Sequence, residues 1–380
     1  MPFFNAPEYE YSYDKSVSSP LYCLQNSDGE VRRIKENIRP LQGFAPVNEA
    51  LTKTNNKRKF IYTMRHGKAL HNAMSKEYTK PISWRFFPKL LDNFDPSLTS
   101  EGVRDAQHAG QLLRELIQEE DAPRPVIVYT SPLRRCIQTA MYAIGALRLD
   151  QKITLCVKEG LREWKGYDHD HQSDRRNTTP HILSLFNDLK RKLRVNVEIE
   201  LDGKQDAEDD PIMRETYVDV DRRIREVLDD IFNHDDSTCS MLVLHNRSNK
   251  SVMRVMGHMQ DEVHRLDKEN CAILGYLMER TALHPAAAQR RLEIEEENWH
   301  GDKIMALEEK QDRYEQAAED IEEYRQNNVP KLLNLKEYLG RRTLQGDEEA
   351  FKALVDLYRL APELKLVTTW QAVKPVDRST

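Results

Sequence analysis

The stretch KFIYTMRHGKALHN, residues 59–72, joins an apolar run to a turn that carries cations and histidines. The run KFIYTM, residues 59–64, is short, rich in β-forming residues and bounded by polar segments, which is typical of a strand buried in a sheet. Arg65, His66 and Gly67 follow where such a strand would end. Because open α/β sheets bind ligands at the carboxyl ends of their strands, this junction is a candidate functional site.

Four more runs of this kind follow along the chain, with helical periodicities between them. The runs are PVIVYTS at 125–131, TLCV at 154–157, SMLVLH at 240–245 and CAILGYLM at 271–278. Apolar residues recur at helical intervals after the cap signal Thr99–Ser100. The same periodicity is found over 132–147, about 211–233 and about 248–257. Strands that alternate with helices predict an α/β fold, a three-layer α/β/α arrangement with a largely parallel central sheet.

The two ends of the chain differ from this middle part. Residues 1–57 contain polar tracts that interrupt any helical period, and we expect an irregular N-terminal arm there. Residues 58–282 hold the α/β pattern. Residues 283–380 change to charged amphipathic segments, which predict a C-terminal helical extension. Packing of this extension on the core is favoured, and a role as a protein-partner arm stays open.

Composition narrows the classes of function. The 380 residues include 57 Lys and Arg against 63 Asp and Glu, a net charge of −6, so no basic excess points to nucleic acid or an anionic membrane. No apolar run reaches the roughly 18 residues of a membrane helix, and the first residues lack a signal-peptide pattern. The five cysteines are never in Cys-x-x-Cys spacing, so reduced thiols and a cytoplasmic location are expected.

Several common active-site signatures are absent from the sequence. No Gly-rich loop ending in Gly-Lys-Ser/Thr occurs, and no Gly-x-Gly-x-x-Gly follows a strand, which argues against ATP-driven transfer. Neither Gly-x-Ser-x-Gly nor His-Glu-x-x-His is present, so the common serine-hydrolase and zincin signatures are absent as well. The remaining candidates are the polar residues at the predicted strand ends.

These candidates have the residue types that phosphoryl transfer needs. A neutral imidazole at His66 could attack phosphorus while the Arg65 guanidinium neutralises the phosphoryl oxygens. In SPLRRCIQTA, residues 131–140, Arg135 lies one turn into a helix and could reach an anion. Glu163 could donate a proton to a leaving alkoxide, and His245 precedes a helix N-terminus, which favours phosphate. Each residue alone is commonly structural or solvated, and their joint order carries the prediction.

Taken together, these motifs resemble the histidine phosphatase superfamily, in its phosphoglycerate-mutase-like branch. The matching stretches are RHGxxxxN at 65–72, DPSLTSEG at 95–102, SPLRRCIQTA at 131–140, LRE at 161–163 and the late strand ending in His245. The resemblance implies that residues 58–282 form a catalytic domain in which His66 becomes a phosphohistidine. It also implies a phosphate pocket of Arg65, Arg135 and His245, lined by Asn72, with Glu163 as proton donor.

One position departs from the family pattern. The usual His-Gly of the late motif is His245-Asn246 here, so we expect Asn246 to form a tight turn beside the phosphate. The segment DHDHQSD, residues 168–174, contains metal-ligand residue types, but a polar loop at the pocket rim is the favoured interpretation.

The resemblance implies a phosphatase that needs neither a metal nor another cofactor and acts on a small phosphorylated substrate. Phosphatase ranks first because the sequence around Glu163 lacks the Glu-Arg-His-Tyr-Gly pattern of the glycolytic mutases. A phosphomutase and a catalytically silent scaffold that binds partners through residues 283–380 are the alternatives. Further cations would suit a substrate with a second anionic group, with solvated surface charge as the equal alternative. They are Lys68, Lys76, Lys80, Arg85, Lys89, Arg247 and Lys250.

Overall fold

A seven-stranded sheet forms the centre of the computed structural model. The structure describes residues 6–13, 24–27, 30–33, 44–52, 58–72, 95–118, 121–149, 151–164, 174–202, 215–257 and 269–300. The strands are β1 (Tyr9–Tyr13), β2 (Leu24–Ser27), β3 (Glu30–Arg33), β4 (Arg58–Arg65), β5 (Ile127–Thr130), β6 (Ile153–Val157), β7 (Val197–Leu201), β8 (Cys239–Leu244) and β9 (Ile273–Ala282). The helices are α1 (Ala45–Thr52), α2 (Ser100–Leu116), α3 (Arg134–Leu147), α4 (Thr179–Leu193), α5 (Tyr217–His234), α6 (Asn246–Val255) and α7, over 285–300.

The predicted three-layer α/β/α arrangement is confirmed. The strand order is β1-β9-β4-β8-β5-β6-β7, in which β4, β8, β5, β6 and β7 are parallel and β9 runs antiparallel to β4 and β1. Alternate residues of β4 pack into different cores. Phe60 and Tyr62 pack with the four helices α1, α2, α3 and α4 on one face of the sheet, and Ile61 packs with α5 and α6 on the other face. This alternation explains why the strands are apolar on both faces.

The five predicted strands and four predicted helices are present; the third helix begins at Tyr217, and residues 211–214 of its predicted range lie outside the described residues. The sequence analysis missed two elements of the α/β domain, β7 and α4. Strand β7, VEIEL, lies at the sheet edge and exposes alternate residues, so it lacks the continuous apolar character of the central strands. Helix α4 buries only a narrow stripe formed by Ile182, Phe186 and Leu189.

Part of the predicted irregular arm, residues 1–57, has regular structure. Strand β1 pairs with β9, placing Tyr9 opposite Ala282, and the Tyr11 side chain is 2% exposed. Helix α1 packs near β4, where the rings of Phe44 and Phe60 lie 6.0 Å apart. These long-range contacts fix segments whose local sequence predicts no element.

The beginning of the predicted extension, residues 283–380, packs against α5. Glu295 on α7 accepts hydrogen bonds from Arg222 and Arg225, and the Trp299 indole N–H donates to Asp219 at 2.7 Å. The predicted amphipathic segments beyond residue 300 lie outside the described residues. Among the helices that the structure describes, none is long and apolar enough to cross a membrane.

Candidate active site

The carboxyl ends of β4 and β8 lie side by side and bring two histidines together. Arg65 is in register with Leu244, and the backbone N–H of His66 donates to the Leu244 carbonyl at 2.9 Å. The residues that follow the two strands, His66 and His245, have ring centroids 5.0 Å apart. Both side chains are buried, at 2% and 0% exposed. The sheet therefore joins two of the predicted site residues that lie far apart in the sequence.

The His66 ring is held in one tautomer. Its Nδ1 lies 2.7 Å from the Gly67 carbonyl oxygen, which can only accept, so Nδ1 carries the proton and Nε2 carries the lone pair. Burial lowers the pKa of His66 well below the usual value, and the nearby charges of Arg135 and Arg65 lower it further. His66 is therefore a neutral imidazole with a nucleophilic nitrogen at physiological pH.

Gly67 is required by close packing. A Cβ at this position would lie 2.6 Å from the carbonyl oxygen of Gly102 in the first turn of α2. The Gly67 N–H donates to the Thr139 hydroxyl at 2.9 Å. The small residue thus allows the turn after β4 to contact two helices.

Arg135 reaches the histidine pair from α3. Its side chain is 1% exposed; Nε donates to Nδ1 of His245 at 3.3 Å, and Nη2 donates to an Asp174 carboxylate oxygen at 2.6 Å. Helix α3 begins at Arg134, two residues later than Pro132, its predicted first residue. An Asp95 carboxylate oxygen accepts the Arg134 N–H at 2.6 Å, so this aspartate caps the helix that carries Arg135.

His245 is neutral in this arrangement. Since Arg135 donates to Nδ1, the proton lies on Nε2, which is 2.9 Å from the Ser131 hydroxyl and 3.4 Å from the Cys136 sulfur. Burial lowers the pKa of His245 well below the usual value, and Arg135 and His66 act in the same direction. The pocket therefore combines a permanent cation with two uncharged imidazoles.

Glu163 is a candidate proton donor. Burial raises the pKa of its carboxyl group above the usual value, and the charge of Asp174 raises it further. The Trp164 N–H, which donates to Glu163 Oε1 at 2.9 Å, and the charges of Arg135 and Arg65 oppose this rise. The balance favours a carboxyl group that holds its proton to higher pH than an exposed glutamate does.

Asn72 contributes to the turn after β4, and Asn246 differs from its expected conformation. The Asn72 side chain accepts from the Ala69 N–H at 3.1 Å and donates to Nε2 of His71 at 2.9 Å, so it orders the turn after β4. The expectation that Asn246 forms a tight turn was wrong, because this residue is the first of α6 and has no positive φ. A helix start directly after His245 needs no glycine, and its first N–H groups still follow the histidine.

Three of the predicted extra cations lie in the described ranges: Lys68, Arg247 and Lys250, of which Lys250 is buried in α6. Lys68 forms an ion pair with Glu101. Arg247 lies over the Trp164 ring, 5.1 Å from its centroid, and donates to the Tyr217 hydroxyl at 3.0 Å. The cations at 76, 80, 85 and 89 lie outside the described residues.

Three residues near the histidine pair had no role in the sequence analysis beyond local structure. The sequence places Asp174 only in a polar loop at the rim and Ser131 only at the start of the SPLRRCIQTA stretch. His71, whose ring centroid is 6.0 Å from that of His66, was not singled out, although it lies within the RHGKALHN stretch. Within the described ranges, no group of three or more His, Cys, Asp or Glu side chains could hold a metal ion. Residues 168–173 of the DHDHQSD segment lie outside those ranges.

The fold and the site define an α/β protein with a buried, cationic two-histidine pocket at the carboxyl edge of its sheet. Residues 61–284 match the family model of the histidine phosphatase superfamily, branch 1. The chain is 31% identical over 270 residues to a probable phosphoglycerate mutase of Arthroderma benhamiae, covering 68% of this chain and 72% of that protein. The chain therefore belongs to the histidine phosphatase superfamily.

Other relatives match shorter parts. The ecdysteroid-phosphate phosphatase of Drosophila melanogaster is 32% identical over 129 residues, which is 29% of this chain and 16% of that protein. Among solved structures, the ecdysone phosphate phosphatase from Bombix mori has a TM-score of 0.38 at 20% identity, covering 60% of this chain and 93% of that one. Phosphoglycerate mutase from Bacillus anthracis has a TM-score of 0.37 at 14% identity, covering 62% and 96%.

Proposed function

We propose that this protein is a metal-independent phosphatase that hydrolyses phosphoesters of small molecules through a phosphohistidine on His66. The observation that carries the proposal is the tautomer of His66, whose Nδ1 is engaged by the Gly67 carbonyl at 2.7 Å so that Nε2 keeps its lone pair. Arg135 and His245 border this ring, and membership in the histidine phosphatase superfamily supports the same chemistry.

In the first step, Nε2 of His66 attacks phosphorus in line with the ester oxygen. The N–P bond forms as the P–O ester bond breaks, while Glu163 gives its proton to the leaving oxygen. Arg65 and Arg135 neutralise the equatorial oxygens of the transferring group. The raised pKa of Glu163 suits this role, because the group must be protonated when substrate binds.

In the second step, a water molecule attacks the phosphohistidine. Glu163, now a carboxylate, takes a proton from this water as the new P–O bond forms and the N–P bond breaks. Phosphate leaves, and both His66 and Glu163 return to their starting protonation states. The same side chain thus serves as acid and then as base.

His245 would change its charge during binding. Its ring is neutral, with Nδ1 accepting from Arg135. A phosphate dianion beside the ring favours the imidazolium form and therefore raises the pKa of His245. Once protonated at Nδ1, His245 can no longer accept from Arg135, and both groups would then donate charged hydrogen bonds to the phosphoryl oxygens.

A phosphomutase is the second candidate function. The relative that shares 31% identity is described as a probable phosphoglycerate mutase, and a mutase would use the same phosphohistidine. The two functions differ in whether the phosphoenzyme reacts with water or returns the group to the substrate.

Hydrolysis of a simple aryl phosphate with excess chelator present tests the proposal. We expect steady phosphate release that vanadate inhibits. Phosphoryl transfer between positions of a phosphorylated metabolite, with little phosphate release, would instead favour the mutase. The absence of both activities on a broad panel of phosphoesters would refute the enzymatic proposal.

A further inference from the structure

Asp174 contacts the phosphate-binding side of the pocket. Its carboxylate accepts from Nη2 of Arg135 at 2.6 Å, while Nε of the same guanidinium faces Nδ1 of His245. Arg135 is 1% exposed and the Asp174 side chain is 20% exposed, so the ion pair is largely shielded from water. Because a guanidinium is a rigid planar fork, a carboxylate on one nitrogen fixes the direction of the others.

Asp174 also acts on the proton-donor side of the pocket. Apart from burial, its charge is the largest influence that raises the pKa of Glu163. Other charged groups near Glu163 include Arg135 and Arg65, which favour the carboxylate, and Arg223, which donates to the Glu163 backbone carbonyl at 3.3 Å. Paired with Asp174, Arg135 has its charge partly compensated, which further limits its pull on the Glu163 proton.

We propose that Asp174 is a positioning residue that fixes the Arg135 guanidinium for phosphoryl binding and, through this contact, couples the anion site to the proton donor Glu163. The inference rests on the phosphatase mechanism proposed above. The Asp174 carboxylate would thereby link the binding of the phosphoryl group at Arg135 to the protonation of Glu163. An ion pair that serves stability alone would fix Arg135 without affecting proton transfer.

The pH dependence of kcat/KM for the Asp174→Asn variant tests the inference. The amide keeps the size and an acceptor oxygen for Arg135 but removes the charge. Since kcat/KM reports ionisations of the free enzyme, we expect its alkaline limb to move to lower pH, with a loss of about tenfold at alkaline pH and a smaller loss at acidic pH. Asp188→Asn, which removes the same charge from an exposed side chain on α4, should leave the profile unchanged. A profile of Asp174→Asn that superimposes on the wild-type profile would overturn the inference.

A second variant covers the case in which Asp174→Asn fails to fold. Asp174→Glu keeps the charge but displaces the contact with Arg135, so we expect the wild-type alkaline limb and a KM raised about threefold to tenfold. A moved limb with unchanged KM would contradict the inference.

Glu163→Gln separates failure of the inference from failure of the mechanism. If Glu163 is the proton donor, this variant loses most activity together with the alkaline limb. Retention of wild-type activity and limb by Glu163→Gln would reject the proton-donor role itself. Loss of the limb in Glu163→Gln together with an unmoved limb in Asp174→Asn would reject only the role of Asp174.

Discussion

Two buried polar clusters lie at opposite ends of the same strands, and their hydrogen bonds differ in kind. The amino-end cluster consists of Lys59, Tyr129, Asp235, Ser237 and Ser240. The site cluster at the carboxyl ends consists of His66, Arg135, Asp174 and His245. Lys59 lies at the start of β4 and His66 directly follows its end. Likewise, Ser240 lies at the start of β8 and His245 directly follows its end.

In the amino-end cluster every charge meets a complementary group. The Lys59 ammonium, 1% exposed, donates to the carbonyl oxygens of Asp235 and Ser237. The Asp235 carboxylate accepts from the hydroxyls of Tyr129 and Ser240 and from the Ser237 N–H. Such a satisfied network stabilises one arrangement of the strands and offers little to a ligand.

In the site cluster a cation faces two neutral imidazoles. Burial and Arg135 lower the pKa of both His66 and His245, and the neighbouring Arg65 lowers that of His66 as well. Two guanidinium charges therefore act on this site against the single carboxylate of Asp174. An anion that enters would relieve this repulsion. Both clusters are buried and polar, so charge compensation, rather than polarity alone, distinguishes the functional site from the structural one.

Substitution of His66 should show the largest difference between the two clusters, because it should affect activity far more than stability. We expect His66→Ala to lose at least about a thousandfold in kcat/KM for an aryl phosphate, because no other group replaces the attacking nitrogen. Loss of the buried ring leaves a cavity, so the midpoint of thermal unfolding should fall modestly while the protein stays folded. His234→Ala, at an exposed histidine on α5, is the control and should keep full activity. Full activity of His66→Ala would refute the nucleophile assignment.

Substitution of Lys59 should have the opposite pattern. Lys59→Met keeps the aliphatic chain but leaves the carbonyls of Asp235 and Ser237 without their donor, at a cost of about 2–4 kcal/mol in the free energy of unfolding. Denaturant titration measures this loss. The kcat/KM per folded molecule should stay within about twofold of wild type. A large fall in activity without a fall in stability would contradict the division between the clusters.

Anion binding should also be linked to proton uptake at the site cluster. The pKa of His245 is low in the empty pocket and rises beside a dianion, so at neutral pH binding of phosphate or vanadate should take up a fraction of a proton, at most about one. Titration calorimetry in buffers of different ionisation enthalpy measures this number. His245→Asn should bind more weakly without that uptake. Equal uptake by wild type and His245→Asn would show that another group takes the proton.

The sequence predicted the fold well where the signal is local. The run before Arg65 is apolar on both faces because β4 is covered on both sides, and this requirement is visible in the residues themselves. For β7, only the alternation in VEIEL indicates a strand, as expected for an edge strand with one exposed face. Strand β1 depends on pairing with β9 some 270 residues away, and such pairing leaves no local signal.

The same distinction applies to the site. The residues His66, Arg135 and His245 were predicted because they follow strands or open helices, and parallel topology brings such positions to one edge. The tautomer of His66 and the contact between Arg135 and Asp174 depend on interatomic distances that no spacing rule contains. Asn246 was assigned a turn from the family pattern, whereas a helix start serves the same place in this chain.

Trapping the phosphorylated protein tests the central claim most directly. Wild-type protein should be mixed with a labelled phosphoester, quenched within milliseconds in alkali, and digested for mass spectrometry. The phosphate should be acid-labile, alkali-stable and located on His66, and it should be absent from His66→Ala. Phosphate on another residue, or turnover with no phosphoenzyme under conditions where its formation outpaces its hydrolysis, would contradict the claim.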